Sequence, residues 1–151
     1  MIYVADNGLL VPGPNPGLEE EARQRTTGLR AWLPDKPSLV VSGTGRMHLE
    51  LARALGVTVD RYSSMFGCGD RRIVTDGEYI LLSDGTKIPA HQCTSVEDRT
   101  RPFLDFLSSA PAETVIITNR GSTRGILRLD SCSTGPSIFK FQWKNGAPTD
   151  V

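Results

Sequence analysis

The sequence predicts a three-layer α/β/α fold with a mostly parallel central sheet and a small β-hairpin insertion. Three observations lead there. Apolar, partly β-branched runs at Ile2-Tyr3-Val4-Ala5, Ser38-Leu39-Val40-Val41-Ser42 and Thr114-Val115-Ile116-Ile117-Thr118 have the character of strands buried on both faces. Segments with helical spacing alternate with them, the pattern of a layered parallel sheet. Residues 57–93 instead carry short strand-like runs around Asp76-Gly77 and Ser83-Asp84-Gly85, which is hairpin chemistry. The 151 residues suit one domain spanning 1–151, with 57–93 as an insertion near the sheet edge.

Taken in order, the first strand is closed by Asp6-Asn7-Gly8, residues that favour turns. Pro12, Pro14 and Pro16 make Leu10 to Gly17 a loop. From Leu18 to Leu33 the apolar residues Leu18, Ala22, Leu29 and Leu33 recur at helical spacing. Glu19-Glu20-Glu21 fall in the first turn, where the helix dipole favours negative charge, and Pro34 ends the helix. The strand at 38–42 turns through Gly43-Thr44-Gly45 into a helix from Met47 to Leu55, closed by Gly56. Strand-like runs follow at Arg72–Thr75, Tyr79–Leu82 and Thr86–Ile88. Ser95, with Asp98 at capping-box spacing, then opens a helix to about Leu107, although Pro102 points to a start near Arg101. After the strand at 114–118 and Asn119-Arg120-Gly121-Ser122, a short helix is expected from Thr123 to Leu129. Ser137 to Trp143 alternates apolar and polar residues, as a last strand with one wet face would.

Composition narrows the function classes. Seventeen Lys+Arg balance 17 Asp+Glu, without the basic surplus of a dedicated nucleic-acid binder. No apolar run approaches the ~18 residues of a membrane span. Met1-Ile2-Tyr3-Val4 lacks the basic start of a secretion signal, so a cytoplasmic protein is expected. Cys68, Cys93 and Cys132 form no CxxC and are odd in number, which argues against a disulfide scaffold or a zinc site. His91 and Cys93 supply too few ligands for zinc. Gly43-x-Gly45 lacks the third glycine of a dinucleotide loop. No metal and no cofactor is expected.

In open α/β sheets ligands bind beyond the carboxyl ends of the strands. Asp6-Asn7-Gly8, Ser42-Gly43-Thr44-Gly45-Arg46 and Asn119-Arg120-Gly121-Ser122 fall there. Glycines with an arginine at a helix start suit an anion; ordinary strand-to-helix turns use the same residues. At these three points the chain resembles the histidine phosphatase (phosphoglycerate mutase-like) superfamily. Ile2 to Gly8 is similar to that family's opening strand followed by Arg-His-Gly, and Val41 to Arg46 to its Ser-Ser-Pro-x-x-Arg turn. Thr114 to Leu127 is similar to its strand and turn reading Val-x-His-Gly-Asn-Ser-x-Arg. In the family the first histidine attacks phosphorus, two arginines and the second histidine hold the phosphoryl oxygens, and an acid protonates the leaving group.

Position by position, the resemblance puts Asp6 at the first arginine, Asn7 at the nucleophile, Arg46 at the second arginine and Asn119 at the second histidine. Glu97 and Asp98 are the candidates for the acid. An amide nitrogen has its lone pair delocalised into the carbonyl, so Asn7 is no nucleophile. Asp6 replaces a cation by an anion; at ~4 Å like charges repel by about 4 kcal/mol at an effective dielectric near 20. The expectation is therefore a degenerate member lacking both catalytic histidines, a pseudophosphatase with no catalytic residue. It would bind a small anionic or polar ligand, or a protein partner, through a former phosphate pocket of Asp6, Asn7, Gly8, Thr44, Arg46, Asn119 and Ser122. Asp6 would bias that pocket towards neutral or cationic groups, or pair with Arg46 and fill it from within. The alternative is a hydrolase with Asp6 or Cys93 as nucleophile, Cys93 to Thr100 fitting a C-x5-R-T pattern. For Asp6, the paired aspartates that dehalogenase-type phosphatases need for Mg²⁺ are missing. His48 is expected to pack or lie on the surface, Trp32 and Trp143 to pack, and Arg71-Arg72 to be solvated.

Overall fold

The computed structural model describes residues 1–8, 20–67, 96–131 and 133–150, with the backbone of 79–81 and 87–89. Its order is β1 (Ile2–Asp6), α1 (Glu20–Leu29), β2 (Leu39–Ser42), α2 (Arg46–Leu55), β3 (Arg61–Tyr62), β4 (Tyr79–Leu81), β5 (Lys87–Pro89), α3 (Val96–Ser109), β6 (Thr114–Thr118), α4 (Arg120–Gly125), β7 (Ser137–Lys144) and β8 (Ala147–Thr149). Six strands form one sheet in the order β3-β2-β6-β1-β7-β8. β1 and β2 both run parallel to β6, and β3 runs parallel to β2. β7 returns antiparallel to β1, and β8 antiparallel to β7. β4 and β5 form a separate antiparallel pair, Ile80 opposite Ile88.

Strand alternation explains the three layers. Side chains two residues apart share a face. Ile2, Val4, Val41, Ile116 and Phe141 pack with Phe66, Phe103, Leu107 and Leu127 on the side of α3 and α4. Tyr3, Ala5, Val40, Val115 and Ile117 pack with Leu33, Leu51, Ala52 and Leu55 on the side of α1 and α2. A strand buried on both faces needs an apolar residue at every position, hence the continuous runs in β1, β2 and β6.

Several elements differ from expectation. The segment expected to be an insertion from residue 57 opens with β3, a strand of the main sheet, and a 3₁₀ turn at Ser64–Phe66 that buries Phe66. α3 starts at Val96, where an opening at Ser95 puts it, and not near Arg101; it runs through Pro102, which forfeits one helical hydrogen bond while Arg99, Phe103 and Leu107 are buried. α4 starts at Arg120, not Thr123. β7 is not the last strand; Asn145-Gly146 turn it back into β8. On α1 only Thr26 is fully buried, with Ala22 and Leu29 half-buried, and Trp32 in the following 3₁₀ turn is 69% exposed. The loop at 10–17, the strand at 72–75, the turns at 76–77 and 83–85, the Ser95 cap, Arg71, Arg72, His91 and all three cysteines lie outside the described residues. No helix among the described residues is long and apolar enough to cross a membrane.

Phe103 meets Phe66 edge-on at 5.4 Å, at the centre of one core layer. Phe103→Ala should cost about 3–5 kcal/mol in urea unfolding, the range for emptying a buried aromatic site. Trp32→Ala should change stability by less than about 0.5 kcal/mol. Equal effects of the two changes would contradict this core.

Candidate functional site

Because β1, β6 and β2 are adjacent and parallel, their carboxyl ends open on one side of the sheet. Asp6 lies opposite Thr118, and Ser42 opposite Ile117. Asp6, Asn7, Gly8, Thr44, Asn119 and Ser122 all stand at this edge, and so does a residue that sequence reasoning left without a role, Arg120.

Asp6 is fully buried, and its carboxylate is saturated. Arg120 donates from Nη2 to Oδ1 at 2.9 Å and from Nε to Oδ2 at 3.0 Å. Thr123 Oγ1 donates to Oδ2 and the Gly8 N–H to Oδ1, each at 2.9 Å. Arg120 also donates to the carbonyls of Ser133 and Gly135, both at 2.7 Å, and to Ser137 Oγ at 3.1 Å. Gly8 holds a left-handed φ of +71°, and a Cβ there would meet the Thr134 and Gly135 backbone at 2.5 Å. β1, α4 and the chain entering β7 are thereby tied at one point.

Of the two expectations for Asp6, the pairing with Arg46 is corrected by the structure: its partner is Arg120. Arg46 opens α2 on its outer face, 54% exposed, with its Nε donating to Glu50 Oε1 at 3.2 Å, one helical turn on. Asn7 is buried at the start of α2 and its Nδ2 donates to Met47 Sδ; its Oδ1 is buried without a hydrogen-bond partner among the described residues. Thr44 is buried, and its N–H donates to the Gly67 carbonyl at 2.8 Å. Asn119 caps α4, its Oδ1 accepting from the Ser122 N–H at 2.9 Å and from Ser122 Oγ at 3.1 Å. Arg99, buried on α3, donates to that Ser122 Oγ at 2.8 Å and to the Met65 carbonyl at 3.3 Å. Its spacing to Phe103 and Leu107 places it on the apolar face of α3, a signal present in the sequence.

His48 is fully buried, as a packing residue would be. Its Nδ1 accepts the Gly45 N–H at 3.0 Å, so the neutral ring carries its proton on Nε2. Burial, then the nearby Arg99 charge, lowers its pKa from 6.5 to about 3. Gly67, at φ +128°, closes the ring in: a Cβ there would come within 2.7 Å of His48 Nε2 and 2.5 Å of Asn119 Nδ2. With one nitrogen accepting and the other protonated, His48 has no free lone pair for phosphorus. Among the described residues no three His, Cys, Asp or Glu side chains gather as a metal site.

Two outcomes follow from these contacts. Asp6→Asn should cost about 3–5 kcal/mol by leaving the Arg120 charge buried without its carboxylate. An Asp6→Leu/Arg120→Met double change should cost clearly less than the two single changes summed, which a double-mutant cycle in urea measures. His48 protonates in the unfolded chain near 6.5 but in the folded chain only near 3, so the unfolded state binds more protons in between. Its contribution is intact above pH 6.5 and lost as pH falls towards 3, at about 1.4 kcal/mol per pH unit. His48→Gln should flatten that dependence; an unchanged slope would contradict the buried neutral ring.

No protein-family model and no curated protein matches the chain. Solved structures do. The protein of open reading frame Rv3214 from Mycobacterium tuberculosis superposes over 98% of this chain and 93% of its own, with a TM-score of 0.61 and 12% identity. TTHB049 from Thermus thermophilus covers 94% and 93%, with a TM-score of 0.58 and 14% identity. A looser likeness, with a TM-score of 0.49 and 14% identity over 96% and 92%, is to mycobacterial glucosyl-3-phosphoglycerate phosphatase Rv2419c. At these identities what the chain shares with its neighbours is the α/β/α fold, over nearly its whole length.

Proposed function

We infer that residues 1–151 form one degenerate histidine-phosphatase-type domain that performs no phosphohistidine chemistry and binds through the cleft at the carboxyl ends of β1, β6 and β2. The observation that carries this reading is the closure of Asp6 by Arg120, Thr123 and Gly8 where the resemblance puts a phosphate-holding arginine. A saturated anion and its own guanidinium leave that corner with nothing to offer a phosphoryl group. At the nucleophile position stands an amide whose nitrogen rests on the Met47 sulfur, and at the second-histidine position an amide spent on capping α4. Neither takes a phosphoryl group.

The cleft suits a neutral or cationic polar group, because Asn7 Oδ1 is a buried acceptor without a partner among the described residues. Such a group is a small ligand or a side chain of a protein partner. The rival, a hydrolase, rests on Cys93, since Asp6 with its lone pairs engaged by four donors is a poor nucleophile.

p-Nitrophenyl phosphate should show no turnover above the heat-denatured protein across about pH 4–9, with or without Mg²⁺. No acid-labile phosphoprotein should accumulate with a phosphorylated donor. Turnover that disappears in Cys93→Ser would replace this reading by the hydrolase.

A further inference from the structure

Asn-Gly occurs twice in the chain, at residues 7–8 and 145–146, and the fold places the two pairs in opposite surroundings. An asparagine followed by glycine can react with its own backbone. The glycine nitrogen, once deprotonated by solvent, attacks the asparagine Cγ, unhindered because glycine carries no Cβ. The new C–N bond closes a five-membered succinimide while the Cγ–Nδ2 bond breaks and Nδ2 leaves as ammonia. Water then opens the ring at either carbonyl. The product is aspartate, or an isoaspartate whose main chain runs through the former side chain. The reaction needs a free side-chain amide, an accessible glycine nitrogen and a backbone able to swing into line.

Asn7-Gly8 meets none of these conditions. Asn7 is 2% exposed, and its Nδ2, the leaving atom, is held on Met47 Sδ. The Gly8 N–H, whose nitrogen would attack, donates to Asp6 Oδ1 at 2.9 Å. A Cβ on Gly8 would meet the Gly135 carbonyl carbon at 2.5 Å, so the backbone is clamped as well.

Asn145-Gly146 is open. Both residues are exposed, as are the flanking Lys144 and Ala147. They form the two-residue turn between β7 and β8, with left-handed φ at both positions. β8 is three residues long, stands at the edge of the sheet and pairs with Gln142–Lys144. Pro148, opposite Trp143, has no N–H to give, so the ladder is held by the pairs Lys144–Ala147 and Gln142–Thr149. Such a hairpin tip opens locally at small cost, and opening lets the turn leave its left-handed conformation.

We propose that Asn145 is a site of spontaneous deamidation, and that its conversion to isoaspartate detaches β8 from β7. The isoaspartyl link adds a methylene to the main chain within a turn of two residues, where turn length sets the register of the pair. β7 then presents an open edge at Gln142–Lys144. This modification is independent of the cleft and of the function proposed for it.

In the test, the intact protein is held folded at mildly alkaline pH, with the guanidinium-unfolded chain as reference. Each Asn-Gly is followed by peptide mass spectrometry. Conversion at Asn145 is expected within about tenfold of its unfolded rate. At Asn7 it should be slowed at least about a hundredfold, because only global unfolding frees that pair. In the isoaspartyl form, amide hydrogen exchange at Gln142 and Lys144 should accelerate. Asn145→Asp, which has the new charge on an ordinary backbone, should exchange like the wild type. Survival of Asn145 in the folded protein for as long as Asn7 would overturn the proposal. So would isoaspartate at 145 with unchanged exchange at Gln142 and Lys144.

Discussion

The buried pairing of Asp6 with Arg120 is the constraint on which the site end of the molecule depends. Taking two full charges out of water costs several kcal/mol per ion, and mutual attraction compensates only where the remaining donors and acceptors are also bonded. Both conditions hold here. The carboxylate accepts four hydrogen bonds, and the guanidinium reaches two backbone carbonyls and a serine hydroxyl besides. The pair joins residues 114 positions apart. It fixes the end of β1, the first turn of α4 and the approach to β7 relative to one another. That explains how a chain segment of Ser, Thr, Gly and Pro at 133–137 keeps an ordered path without an apolar core of its own. It also occupies the carboxylate, whose two oxygens accept four hydrogen bonds within the protein.

A second junction sits beside it and is built from close approach rather than charge. Gly67 fits between His48 and Asn119 with no room for a side chain, while its carbonyl receives the Thr44 N–H. Thr118 Oγ1 donates to the neighbouring Phe66 carbonyl. Residues 63–67 therefore stitch the turn after β2 to the start of α4, and Phe66 anchors the stitch in the core against Phe103 and Phe106. Arg99 completes it from α3 through Ser122 and the Met65 carbonyl. The polar groups expected to face a ligand are in large part the fastenings of this joint.

What was legible in the sequence follows from the range of the interactions involved. Strands buried on both faces betray themselves locally, so β1, β2 and β6 could be placed to within a residue or so. Gly56 marked the end of α2, where its N–H returns to the carbonyls of Ala52 and Arg53. β3 could not be read, since Arg61-Tyr62 is two residues long with no apolar pattern. β8 could have been: Asn145 and Gly146 have φ of 54° and 74°, the paired left-handed residues of a tight hairpin, and Asn-Gly is its usual sequence. Asn119 was legible as a turn residue but not as the cap that starts α4 one residue later, because Arg-Gly-Ser is a poor helix opening by propensity alone. The register of β1 against β6 puts Asp6 near Thr118, yet choosing Arg120 over Arg46 as its partner needed the fold. Both arginines follow a strand end by a similar distance, and only the helix directions separate them.

That separation has an electrostatic consequence. If Arg46 pointed inward, it would add a further cation to the buried Arg120 and Arg99, at a desolvation cost of several kcal/mol. Turned outward onto Glu50, Arg46 leaves the interior with Asp6 matched to Arg120 and moves its charge to the surface, where solvent screens it. The two arginines that follow strand ends thus divide between an interior ion pair and an exterior one, and the direction in which each helix leaves its strand decides which is which.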